Sequence, residues 1–139
     1  MPTWDRTRAP RQGQAPVLER AILDVEYDDL DGRRWLDVTV RHPAAGDEPA
    51  VRAAARRAGE AARRAERAKH TRYPGERLTA FAVETGGRLG GEARAWLLAL
   101  ARELPEDSQQ EELARAYRVL SCALQRELAH QLRRAAGLR

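Results

Sequence analysis

The sequence predicts a mixed α/β (α+β) domain: a small mixed sheet of about three to four strands flanked by helices, with a helical C-terminal part. Three patterns predict it. Residues 21–40 alternate with period two on both sides of Asp31-Gly32, residues 50–71 form a run of Ala, Arg and Glu, and residues 91–136 carry Leu and Ala at helical spacing. The chain has 139 residues, 33% of them charged and with a net charge of +4, which describes one domain with an adequate but modest core. No apolar run is long enough to span a bilayer or serve as a signal peptide, so no membrane partner is expected. The lone Cys122 excludes an internal disulfide framework and a thiolate zinc site, and fits a reducing compartment.

Residues 1–16, with Pro2, Pro10, Gly13 and Pro16 among polar residues, are expected to be a disordered arm or linker; residues 17–139 form the domain, with a core over 18–90 and C-terminal helices over 91–137. Asp31-Gly32 is a preferred tight-hairpin dipeptide, which predicts antiparallel strands at about 20–28 and 33–41. A two-residue loop at those positions pairs Leu30 with Arg33, Asp28 with Trp35, Glu26 with Asp37 and Asp24 with Thr39. Ala21, Leu23, Val25, Tyr27, Leu36, Val38 and Val40 then share an apolar face, and Asp24, Glu26, Asp28, Asp37 and Thr39 share the other with Ile22 and Trp35. Asp24 and Asp37 become diagonal neighbours, able to converge on one cation. A plain solvated face is the alternative.

After a loop at 43–49, residues 50–71 are predicted as one long helix ended by Tyr73-Pro74-Gly75. Its inward stripe runs Val51, Ala55, Ala58, Ala62, Ala65, Lys69, with Tyr73 one step beyond. The chain holds 24 Arg but a single Lys, and that Lys69 continues the stripe facing the sheet rather than joining Arg57, Arg63, Arg64 and Arg67. Such a position suits a compact ammonium; a lysine that snorkels from the helix end is the alternative. Leu78–Thr85 is predicted as a third strand ended by Gly86-Gly87, and neither that pair nor Gly90-Gly91 has the spacing of a phosphate loop. A helix at about 91–104 is closed by Pro105. The last helix starts at Ser108, in a capping box with Glu111, and runs to about Ala136. Leu113, Ala116, Leu120, Ala123, Leu124 and Leu128 give its apolar face, with Tyr117 and Cys122 as packing residues.

Charge is segregated. Residues 19–37 hold seven acids against three Arg, whereas residues 52–77 hold eight Arg and Lys69 against three Glu. An acid cluster beside a basic helix is what a metal-dependent enzyme acting on nucleic acid requires, and also what many solvated surfaces look like.

Two acids with twelve residues between them on a hairpin, followed by a helical lysine and a strand, resemble the PD-(D/E)xK restriction-endonuclease-like superfamily. Within it the chain is most similar to the endonuclease domain near the C-terminus of site-specific non-LTR retrotransposon reverse transcriptases. The likeness rests on Leu23-Asp24-Val25, on Leu36-Asp37-Val38-Thr39-Val40 followed by His42-Pro43, on Lys69 and Tyr73, and on Phe81-Ala82-Val83-Glu84-Thr85-Gly86-Gly87, and covers about residues 18–136. Leu23 replaces the proline of the superfamily name, and Thr39 stands where its lysine usually lies; this retrotransposon branch carries the lysine on the following helix, where Lys69 lies. Neither a polymerase domain nor a Cys/His zinc knuckle is present, so the resemblance implies a tail fragment or decayed copy of a reverse transcriptase polyprotein.

The resemblance implies a nuclease fold, a nuclear location, and Mg²⁺ (or Mn²⁺) held by Asp24 and Asp37, with Glu26 a further ligand. The cation would polarise the scissile phosphate and activate water, while Lys69 orients that water or offsets charge growing on phosphorus. Tyr73 supports Lys69, and Glu84 is either a further acid or structural. Arg52, Arg56, Arg63 and Arg67 would hold phosphates of the target DNA duplex, and retrotransposon RNA would be met through the missing upstream domains. A noncatalytic nucleic-acid-binding module and a helical protein-interaction domain are the competing expectations.

Overall fold

The computed structural model describes residues 3–8 and 17–22 as backbone, and residues 24–29, 31–74 and 77–137 in full. Leu23, Leu30, Gly75 and, of the expected arm, residues 1–2 and 9–16 lie outside the described residues. Within the expected arm, strand β1 (Thr3–Arg8) pairs antiparallel with β2 (Val17–Ile22), from Thr3↔Ile22 to Arg8↔Val17. This corrects the expectation of no fold over 1–16, where Thr3, Trp4 and Thr7 supply strand-forming residues that the prolines and glycine overshadow.

A three-stranded mixed sheet holds the centre, in the order β3 (Val25–Asp29), β4 (Gly32–Arg41), β5 (Leu78–Glu84). The strand expected over 20–28 is interrupted, because Asp24 sits in a bend and its Oδ2 accepts the Val38 N–H at 2.6 Å. A carboxylate there replaces the next rung of backbone pairing. The hairpin closes on Asp29↔Gly32, with Glu26 opposite Trp35 and Val25 opposite Leu36, so the expected register is wrong by two residues. The turn is fixed locally: Asp29 Oδ1 accepts the Asp31 N–H at 2.9 Å, Arg34 binds Asp29 and Asp31, and Gly32 takes φ +106°. A slip of two preserves parity, so the expected faces hold for the residues of β3 and β4, whereas Ala21 and Ile22 belong to β2 and Asp24 to a bend.

The helix expected over 50–71 is two helices, α1 (Glu48–Arg56) and α2 (Glu60–Arg72). Asp47 caps α1 by accepting the Ala50 N–H at 3.1 Å. Arg57 then turns to extended backbone and Gly59 takes φ +79°, which restarts the chain as α2. The break changes the phase of the stripe, so Ala55 and Ala58 are exposed while Ala62, Ala65 and Tyr73 are buried.

β5 runs parallel to β4, from Trp35↔Leu78 to Arg41↔Glu84, and helices cover both faces of the pair. On one face Ala82 packs against Ala62 and Ala65, and Tyr73 packs with Leu78 and Trp35. Methyl-sized side chains let α2 sit close to the strands. The other face carries Leu36, Phe81 and Val83 against Ala93 and Leu97 of α3 (Gly91–Arg102), with Trp96 edge-on to Phe81 and Tyr27. Leu113, Ala116, Tyr117, Leu120 and Leu124 of α4 (Glu106–Ala135) extend this cluster, half-buried.

The expected capping box is absent: α4 starts two residues earlier, with Pro105 at the N-cap and the Ser108 hydroxyl donating to the Pro105 carbonyl. Cys122 and Ala123 are exposed rather than packed, because the face that reaches the sheet runs through Leu113, Ala116, Tyr117, Leu120 and Leu124.

The outer edge of β5 is covered without another long strand. Glu92 Oε2 accepts the Ala80 N–H at 3.0 Å, the Gly90 N–H donates to the Ala82 carbonyl at 2.8 Å, and the Glu84 N–H donates to the Arg88 carbonyl at 2.8 Å. Gly90 is needed here because a Cβ would collide with the Glu66 carboxylate and sit 3.3 Å from the Ala82 carbonyl oxygen.

Candidate functional site

Asp37 lies midway along β4 on the face covered by α2, between Trp35 and Thr39 and beside Ala80 of β5. It is buried at 5% exposure, and its Oδ2 meets the Lys69 ammonium as its one partner among the described residues. Lys69 reaches it from the last turn of α2, with its side chain 23% exposed. The stripe of Ala62 and Ala65 therefore continues into a charge that crosses the helix–sheet interface, as the spacing predicts for α2.

Asp24 is brought to the next residue of the same strand. The strand pairing ends at Val25↔Leu36; Asp24 sits in the bend just before it, and its carboxylate holds the N–H of Val38, the residue after Asp37. Asp24 is exposed where Asp37 is buried, so the two acids present one wet and one enclosed carboxylate. They are hard oxygen donors of the kind Mg²⁺ takes alongside water and phosphate. The enclosed Oδ2 is met and charge-balanced by the Lys69 ammonium. Among the described residues no group of three His, Cys, Asp or Glu side chains is arranged to hold a metal ion.

The other expected residues divide. The Glu26 carboxylate is paired with Arg33 at 2.7 Å, which does not bring it into the Asp37–Lys69 contact. Tyr73 is buried with Leu78 and Trp35, under the Arg72 guanidinium, and anchors the end of α2. Glu84 is buried and structural: its Oε1 accepts the Ala61 and Ala62 N–H groups at 3.1 and 3.4 Å, and so caps α2.

Of the four arginines expected on DNA, three hold carboxylates of their own helix. Arg52 pairs with Glu48, and Arg63 and Arg67 both pair with Glu60 at 3.1 Å. The Arg67 hydrogen bond and the positive charges around it hold the Glu60 carboxyl below its ordinary value. Arg56 is exposed on the last turn of α1.

Two features were not singled out in the sequence. Arg41, His42 and Arg64 line an open cleft of about 480 Å³ between the end of β4, the following loop and α2. Arg41 is legible in retrospect, since it lies four residues past Asp37 on the same strand face. Behind α2, Glu66 Oε1 accepts the Glu92 N–H at 2.9 Å, and Glu92 Oε1 lies 2.7 Å from His70 Nε2. Burial first, and then the Glu92 charge, push the Glu66 carboxyl up against the lowering effect of that N–H.

No protein-family model, curated protein or solved structure matches the chain.

Proposed function

We propose that the chain is a metal-dependent DNA endonuclease domain that nicks target DNA, of the type found in retrotransposon reverse transcriptases. The observation that carries this reading is the Asp37–Lys69 contact: a buried carboxylate on the central strand balanced by the sole lysine, from the helix that crosses to the parallel strand. The order of a two-stranded hairpin, a helix carrying Lys69 and a further strand, on which the sequence resemblance rests, also supports this reading.

In this reading Asp37 and Asp24 are the residues that would hold Mg²⁺ or Mn²⁺. A divalent cation there supplies Lewis acidity toward the phosphate and a more acidic water. Asp37 is fixed by its place in the sheet and needs little reorganisation to bind. Lys69 stands as a compact positive charge beside the reacting phosphate, where it offsets the negative charge of the transition state. Tyr73, packed with Leu78 and Trp35, keeps the end of α2 in place.

A second reading, a noncatalytic nucleic-acid-binding module, is favoured by one observation: the Asp24 carboxylate is already engaged by the Val38 N–H. Plasmid nicking separates the two. Supercoiled DNA should be converted to the open circle in Mg²⁺ or Mn²⁺, spared in EDTA and spared by Asp37→Ala, while Asp107→Ala on exposed α4 cuts as wild type. Equal nicking by Asp37→Ala, or binding without nicking in either metal, removes the catalytic reading.

A further inference from the structure

Two arginines without a carboxylate partner among the described residues, Arg41 and Arg64, line one cleft. Arg64 is half-buried, faces the β4–α1 loop, and makes no ion pair among the described residues. Its guanidinium lies beside the backbone of Gly46: a Cβ there would be in ordinary contact, 3.6 Å from both terminal nitrogens. Gly46 takes φ +128°, a turn conformation that favours glycine. Arg41, at the end of β4, also makes no ion pair among the described residues, and its strand neighbour Glu84 is committed to the α2 N–H groups.

His42 Nδ1 accepts the Ala44 N–H at 3.1 Å, which leaves the proton of the neutral ring on Nε2 as a donor. Between these groups the walls are the small side chains of Ala61 and Ala65. The cleft thus holds two guanidiniums and an imidazole with no carboxylate in its lining, and the third guanidinium there, Arg67, is neutralised by Glu60. A partly desolvated cation without a counter-charge is a standing cost that a bound anion removes.

Direction gives the anion its identity. Asp37, Thr39 and Arg41 lie on one face of β4, and four strand residues span ~13 Å, a few nucleotides of a polynucleotide backbone. We propose that the Arg41–His42–Arg64 cleft binds a phosphodiester of the DNA strand on the flank of the linkage at Asp37 and Lys69. This rests on the nuclease reading above and supplies its anchoring site. It also moves the phosphate contacts from Arg52, Arg63 and Arg67 to arginines whose charge is uncompensated.

The test is binding of a fluorescein-labelled DNA duplex, read by anisotropy in EDTA across a series of salt concentrations. Each phosphate contact contributes about 0.9 to the slope of log affinity against log salt. Arg64→Gln should lower the slope by about that amount and weaken binding roughly tenfold at moderate salt, Arg64→Lys should restore the slope, and Arg52→Gln should leave it unchanged. Arg41→Gln, at an exposed strand end, should repeat the loss and stands in if Arg64→Gln fails to fold.

A slope unchanged in Arg64→Gln and Arg41→Gln overturns the proposal. So does a wild-type protein that binds inorganic phosphate but not DNA. Because EDTA removes the metal, the slope is independent of cleavage. Loss of slope in a protein that never nicks keeps the cleft and removes the nuclease reading, whereas nicking with an unchanged slope keeps the nuclease and removes the cleft.

Discussion

The Lys69 ammonium rests on Asp37 Oδ2, joining the last turn of α2 to the middle of the central strand. The contact is enclosed on the carboxylate side and partly open on the lysine side, so neither charge is fully hydrated and each depends on the other. Lys69→Met should therefore cost about 2–4 kcal/mol, since it leaves Asp37 buried without its partner. Adding Asp37→Asn to that variant should recover more than half of the loss. Urea unfolding of the four proteins of this cycle reads the coupling, and additive losses would show that the contact carries no mutual dependence.

The same side of α2 is held at its other end by Glu84. Replacing Glu84 with Ala removes the acceptor for the Ala61 and Ala62 N–H groups and should destabilise the fold by about 1–2 kcal/mol. Nicking should slow as well, because Lys69 is positioned by the seating of α2. Unchanged melting in Glu84→Ala would mean the helix end is satisfied without that carboxylate.

Stability should respond to pH through Glu66. Its folded carboxyl is raised by burial first and by Glu92 next, so folding favours the protonated form. That contribution is fully present below the ordinary Glu range and is lost as pH rises through the raised folded value. Glu66→Gln keeps an oxygen for the Glu92 N–H and never ionises. It should melt above wild type at pH 7, with the gap closing as the pH falls through the carboxyl range. A gap that is independent of pH, or reversed at pH 7, would contradict the burial argument.

Gly90→Ala should destabilise by about 1–3 kcal/mol, because its Cβ meets the Glu66 carboxylate and the Ala82 carbonyl where the chain closes over the edge of β5. Gly86→Ala, with open space around its Cβ position, is the matched control and should melt near wild type. Equal melting of the two variants would show that the segment can move away from β5 without loss.

The sequence carried the faces of the sheet better than its register. Alternation is a parity signal, so Asp37 falls on the α2 face whether the hairpin closes on Leu30 and Arg33 or on Asp29 and Gly32; the turn itself is decided by hydrogen bonds that the Asp29 carboxylate accepts from the Asp31 N–H and Arg34, which alternation does not encode. The inward direction of Lys69 was legible because Ala62, Ala65 and Lys69 lie within one unbroken helix. The positions before Gly59 were misphased, since the propensity of the Ala and Arg run conceals a residue at φ +79°. Asp24 was read as a strand residue, and its carboxylate instead ends the strand at Val38. Counting basic residues does not show which arginines are already paired with carboxylates. Glu60 lies three and seven positions before Arg63 and Arg67 and takes both, leaving Arg64 to the cleft.

The central claim is that Lys69 acts as a compact charge beside a phosphate at Asp37. The rate of plasmid nicking in Mn²⁺ by Lys69→Arg, compared with wild type at saturating protein, tests it most directly. The guanidinium preserves net charge and DNA affinity but is planar and wider, so the account predicts nicking at least tenfold slower with unchanged binding. Equal rates would contradict it, and would leave Lys69 as a structural partner of Asp37 alone.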